Sequence, residues 1–350
     1  MSSRSSHEVR VLQENEIVIL PDSLARSAGF VGLESWLTFV HKVYNFPVYR
    51  LVSQTDNKID GWLALVRVQH PIFGTYLTTS PFGSYGGFAY ASITARDALL
   101  AKARWLAKDS GVAYINVRFD GGDEAPPEGW IQHPIYATYC IDLLPDPSQL
   151  IGAYSSDHRN HIRKALKKGF SIKFGHLDLL GDVYEALAQS MHELGSPYHN
   201  KNYLRSMAES LGSTLEFAVM YDARGELAGG GAFIVQGDMV TNLHANILHR
   251  FRSDYAGEFL YWSVIDRYCR NGLKVFDLGR SLIGSGNETF KTKWKPRKQL
   301  LAYWYALAPG HTLPELNQKN PKLQMAIWLW KRLPSFVVRV FGPFLIKGLA

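Results

Sequence analysis

Around position 277 the chain reads Phe276-Asp277-Leu278-Gly279-Arg280-Ser281, placing an acid and a guanidinium at the end of an apolar run. The carboxyl ends of strands are where α/β folds place ligand-handling groups. Arg280 can grip a phosphate or carboxylate through two parallel hydrogen bonds. Alternatively, Asp277 and Arg280 pair and merely shape the turn. Gly284, Ser285 and Gly286 follow as a flexible loop that either closes over a substrate or only connects. His244, in Asn-Leu-His-Ala-Asn-Ile, is of the type that takes a proton near neutral pH. Strand alternation predicts that Asn242, His244 and Asn246 share one face, lining a cleft or facing water. A basic stretch from Arg159 to Lys168 includes His161 and is preceded by His158. Such a stretch is a solvated face or an attractor of phosphate. The histidines show no HxxxH zinc spacing, and no metal is assigned.

These residues need elements to hold them. The sequence carries an internal echo. YRLVSQTDNKIDGWLALVRVQ and LEFAVMYDARGELAGGGAFIVQ each read as strand, polar turn and strand. In the first half an apolar helix pattern follows at Leu99, Leu100, Ala103, Leu106 and Ala107, closing at Gly111. The second half repeats it at Leu260, Val264, Ile265 and Tyr268, closing at Gly272. A glycine one residue past a helix suits a left-handed cap, and each is followed by a short apolar strand. Two similar α/β modules are expected, over 1–150 and 151–312. Pro145 and Pro147 mark the boundary. A basic helix is expected from Ser155 or Ser156, capped by Ser156 or Asp157 and ended by Gly169. Residues 313–350 form a tail of two helical pieces broken at Pro334.

The chain has 350 residues, 46% of them hydrophobic, and a net charge of +7. That composition builds one large or two medium globular domains and excludes a disordered chain. Cys140 and Cys269 offer neither a disulfide framework nor a CxxC metal site, consistent with a reducing compartment. The polar start, MSSRSSHEVR, lacks the apolar core of a signal peptide, and no apolar run reaches the ~20 residues that span a bilayer. A cytoplasmic protein is expected. After Glu315 there is no acid, while Lys319, Lys322, Lys331, Arg332, Arg339 and Lys347 remain. With Trp328 and Trp330 among aliphatics, this tail either contacts the inner face of a membrane or packs on the body.

Four stretches of the second half, HRNHIRKALKKG, GSPYHNKNYL, GLKVFDLGRSLIGSG and ETFKTKW, resemble the FemAB-like branch of the GNAT acyltransferase superfamily. ETFKTKW is similar to that family's FK-x-x-W-G pattern. LTTSPFGSYGG in the first half, and NPKLQMAIWLWKRLP and FGPFLIKGL in the tail, resemble the subgroup associated with exosortase and exopolysaccharide gene clusters. The resemblance implies an α/β (α+β) fold of tandem GNAT-like modules, each a mixed sheet with packed helices, plus the helical tail. Two departures stand out. Lys295 occupies the place of the Gly after Trp294 and does not readily adopt the positive φ that Gly permits. In the donor loop, whose usual form is [RQ]-x-x-G-x-[GA], Tyr255 replaces the first Gly.

The resemblance implies roles. Arg252, Ser253, Tyr255, Ala256 and Gly257, entering a helix at Glu258, match the place where such a module holds a donor's pyrophosphate on free N–H groups. Glu258 sets a negative charge at that place, and an ordinary helix cap is the competing reading. Lys291 lies in the channel between donor and acceptor, where a fixed cation stabilises an oxyanion; otherwise it is a solvated lysine beside Glu288. His244, Asp277 and Glu288 are the candidate bases. Arg280, Ser281, Asn246, Tyr198, His199 and Trp294 surround the acceptor.

The expected activity is transfer of an acyl or aminoacyl group from acyl-CoA or aminoacyl-tRNA to an amine, on a lipid-linked glycan or other envelope or exopolysaccharide precursor. No permanently bound cofactor is expected, and tRNA is disfavoured by the near-neutral body. The alternative is a non-catalytic GNAT module that recruits glycan-export machinery to the membrane.

Overall fold

The computed structural model describes residues 7–314 and 321–349, without the side chains of 321–323. Lys319 and the side chain of Lys322 therefore lie outside the described residues. The chain forms two compact units. Of the described residues, one comprises 7–136, 299–314 and 347–349; the other comprises 137–298 and 321–346. This division differs from boundaries at 150 and 312. Strand Tyr136–Asp142 pairs in the second sheet, while Ala302–Leu307 returns to the first.

In the first unit, strands Val48–Thr55, Lys58–His70 and Gly74–Thr78 run antiparallel in series, and helix Ile93–Asp109 leads to Tyr114–Phe119, parallel to Gly74–Thr78. The expected apolar stripe, Leu99, Leu100, Ala103 and Leu106, faces a core with Leu63, Ile115 and Trp304.

The second unit repeats this order. Leu215–Tyr221, Leu227–Gln236 and Met239–Ile247 run antiparallel, and helix Ala256–Arg270 leads to Val275–Asp277, parallel to Met239–Ile247. Gly111 and Gly272 follow their helices at φ 60° and 79°, the left-handed positions the sequence predicts. Leu260, Val264, Ile265 and Tyr268 are buried in a core with Phe233, Phe276 and Trp294.

The basic helix spans Ser156–Leu166. Its cap is Ser155, whose hydroxyl accepts from the His158 N–H, rather than Ser156 or Asp157. The helix is not wholly solvated: His158, Ile162 and Ala165 are buried at successive turns. Tail helices Pro321–Trp330 and Ser335–Lys347 flank Pro334. The second packs in part on its own unit. Val338 is buried, Arg339 pairs with Glu185, and a Cβ on Gly342 would meet the Tyr198 carbonyl oxygen at 3.0 Å. Its other face exposes Phe336, Val340, Phe341 and Phe344. Among the described residues, no helix is long and apolar enough to cross a membrane.

Candidate active site

The site begins where two parallel strands part. Met239–Ile247 pairs with Val275–Asp277 only from Met239–Val275 to Thr241–Asp277. Beyond that point Leu278 donates its N–H to Tyr139 on the other side, and a register shift falls between Asn242 and His244. The extra residue, Leu243, breaks the alternation, as a β-bulge does. The expected row is therefore split. Asn242 points toward helix Ala256–Arg270, donating to the Tyr261 hydroxyl at 2.9 Å and to the Leu278 carbonyl at 3.5 Å. His244 faces the opposite side, near the rings of Tyr198, His199 and Tyr203. Asn246 shares that side and contacts the Met191 sulfur at 3.5 Å.

Lys291 sits beside the parting strands. It lies on helix Gly286–Thr292, capped by Ser285, and is only 7% exposed. Its ammonium donates to the carbonyls of Gly279 at 2.6 Å and Arg280 at 2.8 Å. That leaves one N–H of three without a hydrogen bond, and Nζ also lies 5.8 Å from the centre of the Tyr139 ring. Burial, with help from the Arg280 charge and against the pull of Asp277, brings Lys291 down to about 8. It is not the solvated partner of Glu288. That carboxylate accepts instead from Lys298, the Tyr139 hydroxyl and the Gly284 N–H. Lys298 foremost, then Tyr139, holds it at about 2, which makes it a poor base. The same contacts tether the 284–286 loop.

Asp277 is fully buried and accepts from the Thr138 hydroxyl and the Gly279 N–H. Gly279 takes φ 75°, which lets the chain turn tightly over Lys291. Ser281 is buried, and its hydroxyl has no hydrogen-bond partner among the described residues. Trp294, grouped with the acceptor residues by the sequence, is fully buried, with ring contacts to His158, Tyr154 and Tyr261. Its indole is core, and in this conformation it holds its neighbours rather than touching a substrate.

Tyr198 and His199 are also buried, and His199 stacks on Tyr203 with ring centroids 3.5 Å apart. Burial lowers His244 to about 4 and His199 well below its ordinary value. His244 is therefore neutral across the physiological range, with a buried Nε2 that has no partner among the described residues.

The donor-loop candidates enter helix Ala256–Arg270 as the sequence implies. His249–Asp254 is a short 3₁₀ turn, Arg252 and Ser253 are exposed, and Tyr255 takes φ 59°. Lys295 takes φ 52°. Both residues that stand where a Gly is usual therefore keep the left-handed conformation. Tyr255 stacks on His161 at 4.5 Å, and Lys164 lies 5.7 Å from its ring. Asp254 pairs with Lys168. Glu258 is buried, with Lys293 at 3.9 Å and His161 at 4.0 Å.

Sequence reasoning missed two things. Asn242 entered it only through the alternation, and the bulge that redirects it leaves no mark in residue type. His158 and His161 were read as part of a basic face, yet one potential ligand atom from each of His158, His161 and Glu258 lies within 4.8 Å of the others. The signal was present: His158, Ile162 and Ala165 fall on one helical stripe.

Comparison with known proteins bears on the whole arrangement. The family described as acetyltransferase (GNAT) domain matches residues 156–292, from the basic helix through Lys291. No curated protein sequence matches the chain. The crystal structure of FemX superimposes with a TM-score of 0.61 at 13% identity, over 88% of this chain and 98% of that one. A tandem GNAT protein from the clavulanic acid biosynthesis pathway gives 0.54 at 14%, over 88% and 100%. L-PGS from Bacillus licheniformis gives 0.51 at 12%, over 78% and 87%. The fold is therefore tandem GNAT-like, and residues 156–292 match the acetyltransferase (GNAT) domain model.

Proposed function

We propose that the protein is an acyltransferase, moving an acyl or aminoacyl group from an activated carrier to an amine on a cell-envelope or exopolysaccharide precursor. The observation that carries this reading is Lys291, a buried ammonium with one N–H to spare where two parallel strands separate. Its setting suits a charge that appears only during reaction. The amine nitrogen attacks the acyl carbon, and the carbonyl electrons move onto oxygen. Lys291 stabilises that oxyanion in a low-dielectric surround. Collapse breaks the bond to the carrier, and the amine gives up its proton. His244, whose buried Nε2 has no hydrogen-bond partner among the described residues, and Asp277 are the proposed acceptors of that proton.

Arg252, Ser253, Tyr255, Ala256 and Gly257 are proposed to hold the carrier's phosphates at the start of helix Ala256–Arg270. Arg280 and Ser281 would hold an acidic group of the acceptor. Asn246, Tyr198 and His199 are proposed to border its entry. Acyl-CoA is the favoured carrier and aminoacyl-tRNA the second. The exopolysaccharide assignment rests on the tail and first-half resemblance. A cytoplasmic protein meeting the membrane's inner face through its exposed tail aromatics fits an acceptor made there.

The competing reading is a non-catalytic recruiting module. It is favoured by Asp254 and Glu258, which put carboxylates at the helix entrance. Thermal shift against acetyl-CoA, longer acyl-CoAs, free CoA and charged tRNA separates the two. A native-state ligand at ~100 times its Kd adds about 2.7 kcal/mol. A shift with an acyl donor, followed by transfer to an amine that Lys291→Met slows about 10²–10³-fold, upholds the enzyme. Binding of none of them moves the balance to the recruiting module.

A further inference from the structure

We propose that His158, His161 and Glu258 form a binding site for a divalent transition-metal ion, two imidazoles and one carboxylate holding zinc or a first-row neighbour. The three come from two packed helices. His158 and His161 are one turn apart on Ser156–Leu166, and Glu258 lies in the first turn of Ala256–Arg270. One ligand atom from each falls within 4.8 Å of the others, and His161 Nδ1 is 4.0 Å from a Glu258 oxygen. Zinc sits about 2.0–2.2 Å from nitrogen and oxygen donors. The cluster must therefore tighten by roughly an ångström on binding, with the partly exposed His161 moving toward the buried His158 and Glu258.

Burial argues that the cluster is built for a ligand. His158 is 2% exposed, and neither of its ring nitrogens has a hydrogen-bond partner among the described residues. His161 Nδ1 is likewise buried and unpartnered. Buried polar atoms without partners are uncommon, and each calls for an explanation. Glu258 is 7% exposed, and its nearest cation, Lys293, is 3.9 Å away on a side chain 40% exposed. That lysine can swing into water when an ion arrives. The rings are oriented in advance: His158 lies edge-on to Trp294 at 4.5 Å, and His161 stacks on Tyr255.

Donor chemistry selects the ion. Two nitrogens and one oxygen suit zinc, cobalt, nickel or ferrous iron, whereas magnesium and calcium prefer all-oxygen shells. Three protein ligands leave a position for water or another group. An ion here would also reverse the negative field that Glu258 sets at the start of its helix.

The test uses tag-free, full-length protein stripped with a chelator, then dialysed against zinc and assayed for bound metal. Cobalt loading is followed by visible absorption. One zinc per chain is expected, with cobalt bands typical of imidazole ligation. His161→Ala and Glu258→Gln, chosen because His158 is too buried to remove safely, should each weaken zinc binding by roughly 100-fold or more, since loss of even an outer-shell partner costs 10–100-fold. His249→Ala, at an exposed histidine elsewhere, should bind as wild type. Retention of no zinc by the wild type at about 100 μM free zinc would overturn the site, since structural zinc sites bind far more tightly than that. So would wild-type affinity in both ligand variants.

Discussion

Lys291 donates to the carbonyl oxygen of Gly279 at 2.6 Å, fastening helix Gly286–Thr292 to the left-handed turn that leaves strand Val275–Asp277. The bond fixes a cation at a strand end, and it needs both a glycine at the turn and a lysine on the helix. Lys291→Met should lower turnover about 10²–10³-fold, the loss typical of one oxyanion donor. Denaturant midpoints measured alongside separate catalytic loss from unfolding.

The same residue predicts a pH dependence. Its folded value of about 8 lies below the ordinary 10.5. The unfolded chain therefore binds more protons between these limits, and stability should rise with pH from about 8 to 10.5. Activity should move the other way, falling as pH passes about 8 and the ammonium is lost. Parallel pH series of activity and of unfolding midpoint check both signs.

Tyr255 and Lys295 predict a gain in stability. Each holds a left-handed conformation that costs an ordinary residue about 1–2 kcal/mol. Lys295→Gly should recover about 1 kcal/mol, less what the glycine loses in the unfolded chain. Gly272→Ala, at φ 79°, should destabilise by a similar amount. Denaturant titration of the two variants reads both.

These positions also mark what the sequence made legible. The repeated strand–strand–helix–strand order followed from apolar spacing and from Gly111 and Gly272, which are local signals; the further strand before each helix, Gly74–Thr78 and Met239–Ile247, was not part of that order. The left-handed backbone at Tyr255 and Lys295 was hidden, because surrounding packing imposes a turn that the residue types disfavour. The exchange of strands between the units was hidden for a related reason. Pairing of Ala302–Leu307 with Tyr114–Phe119 is decided by partners far away in sequence. At the candidate site, a pattern and a strand end draw attention to Lys291 and Asp277, but their burial leaves no local mark in the sequence. The split of Asn242 from His244 depends on one bulged residue.

His244 predicts acid sensitivity. Burial holds it at about 4, against an ordinary 6.5, and His199 beside it is lowered in the same direction. Stability from this pair is complete above about 6.5 and is lost as pH falls toward 4, because the unfolded chain takes protons the fold refuses. Tyr198 and Tyr203, which face them, bring no compensating carboxylate. His244→Gln should flatten the decline in denaturant midpoint between pH 6.5 and 4.

The tail predicts a separable surface activity. Phe336 and Phe341 are 69% and 56% exposed, so replacing both by Ser should leave the unfolding midpoint unchanged. Co-sedimentation with anionic phospholipid vesicles should fall sharply in that variant. In the wild type it should weaken with added salt, which screens the basic residues. Equal sedimentation of the two proteins would remove these aromatics from any membrane contact.

Asn242 makes the sharpest test of the parted strands. Its amide reaches the Tyr261 hydroxyl at 2.9 Å and the Leu278 carbonyl at 3.5 Å, spanning the place where pairing stops. Asn242→Ala removes both contacts. The Tyr261 hydroxyl loses this partner, at a cost of about 1–3 kcal/mol, and the strands lose their tie. Asn242→Asp separates the two effects. A carboxylate can accept from the Tyr261 hydroxyl, but it has no proton for Leu278 and repels that carbonyl. If the tie sets the width of the opening, both variants should lower kcat/KM about tenfold while the Asp variant keeps more stability. Wild-type kcat/KM in the Asp variant would mean that anchoring Tyr261 is all Asn242 does.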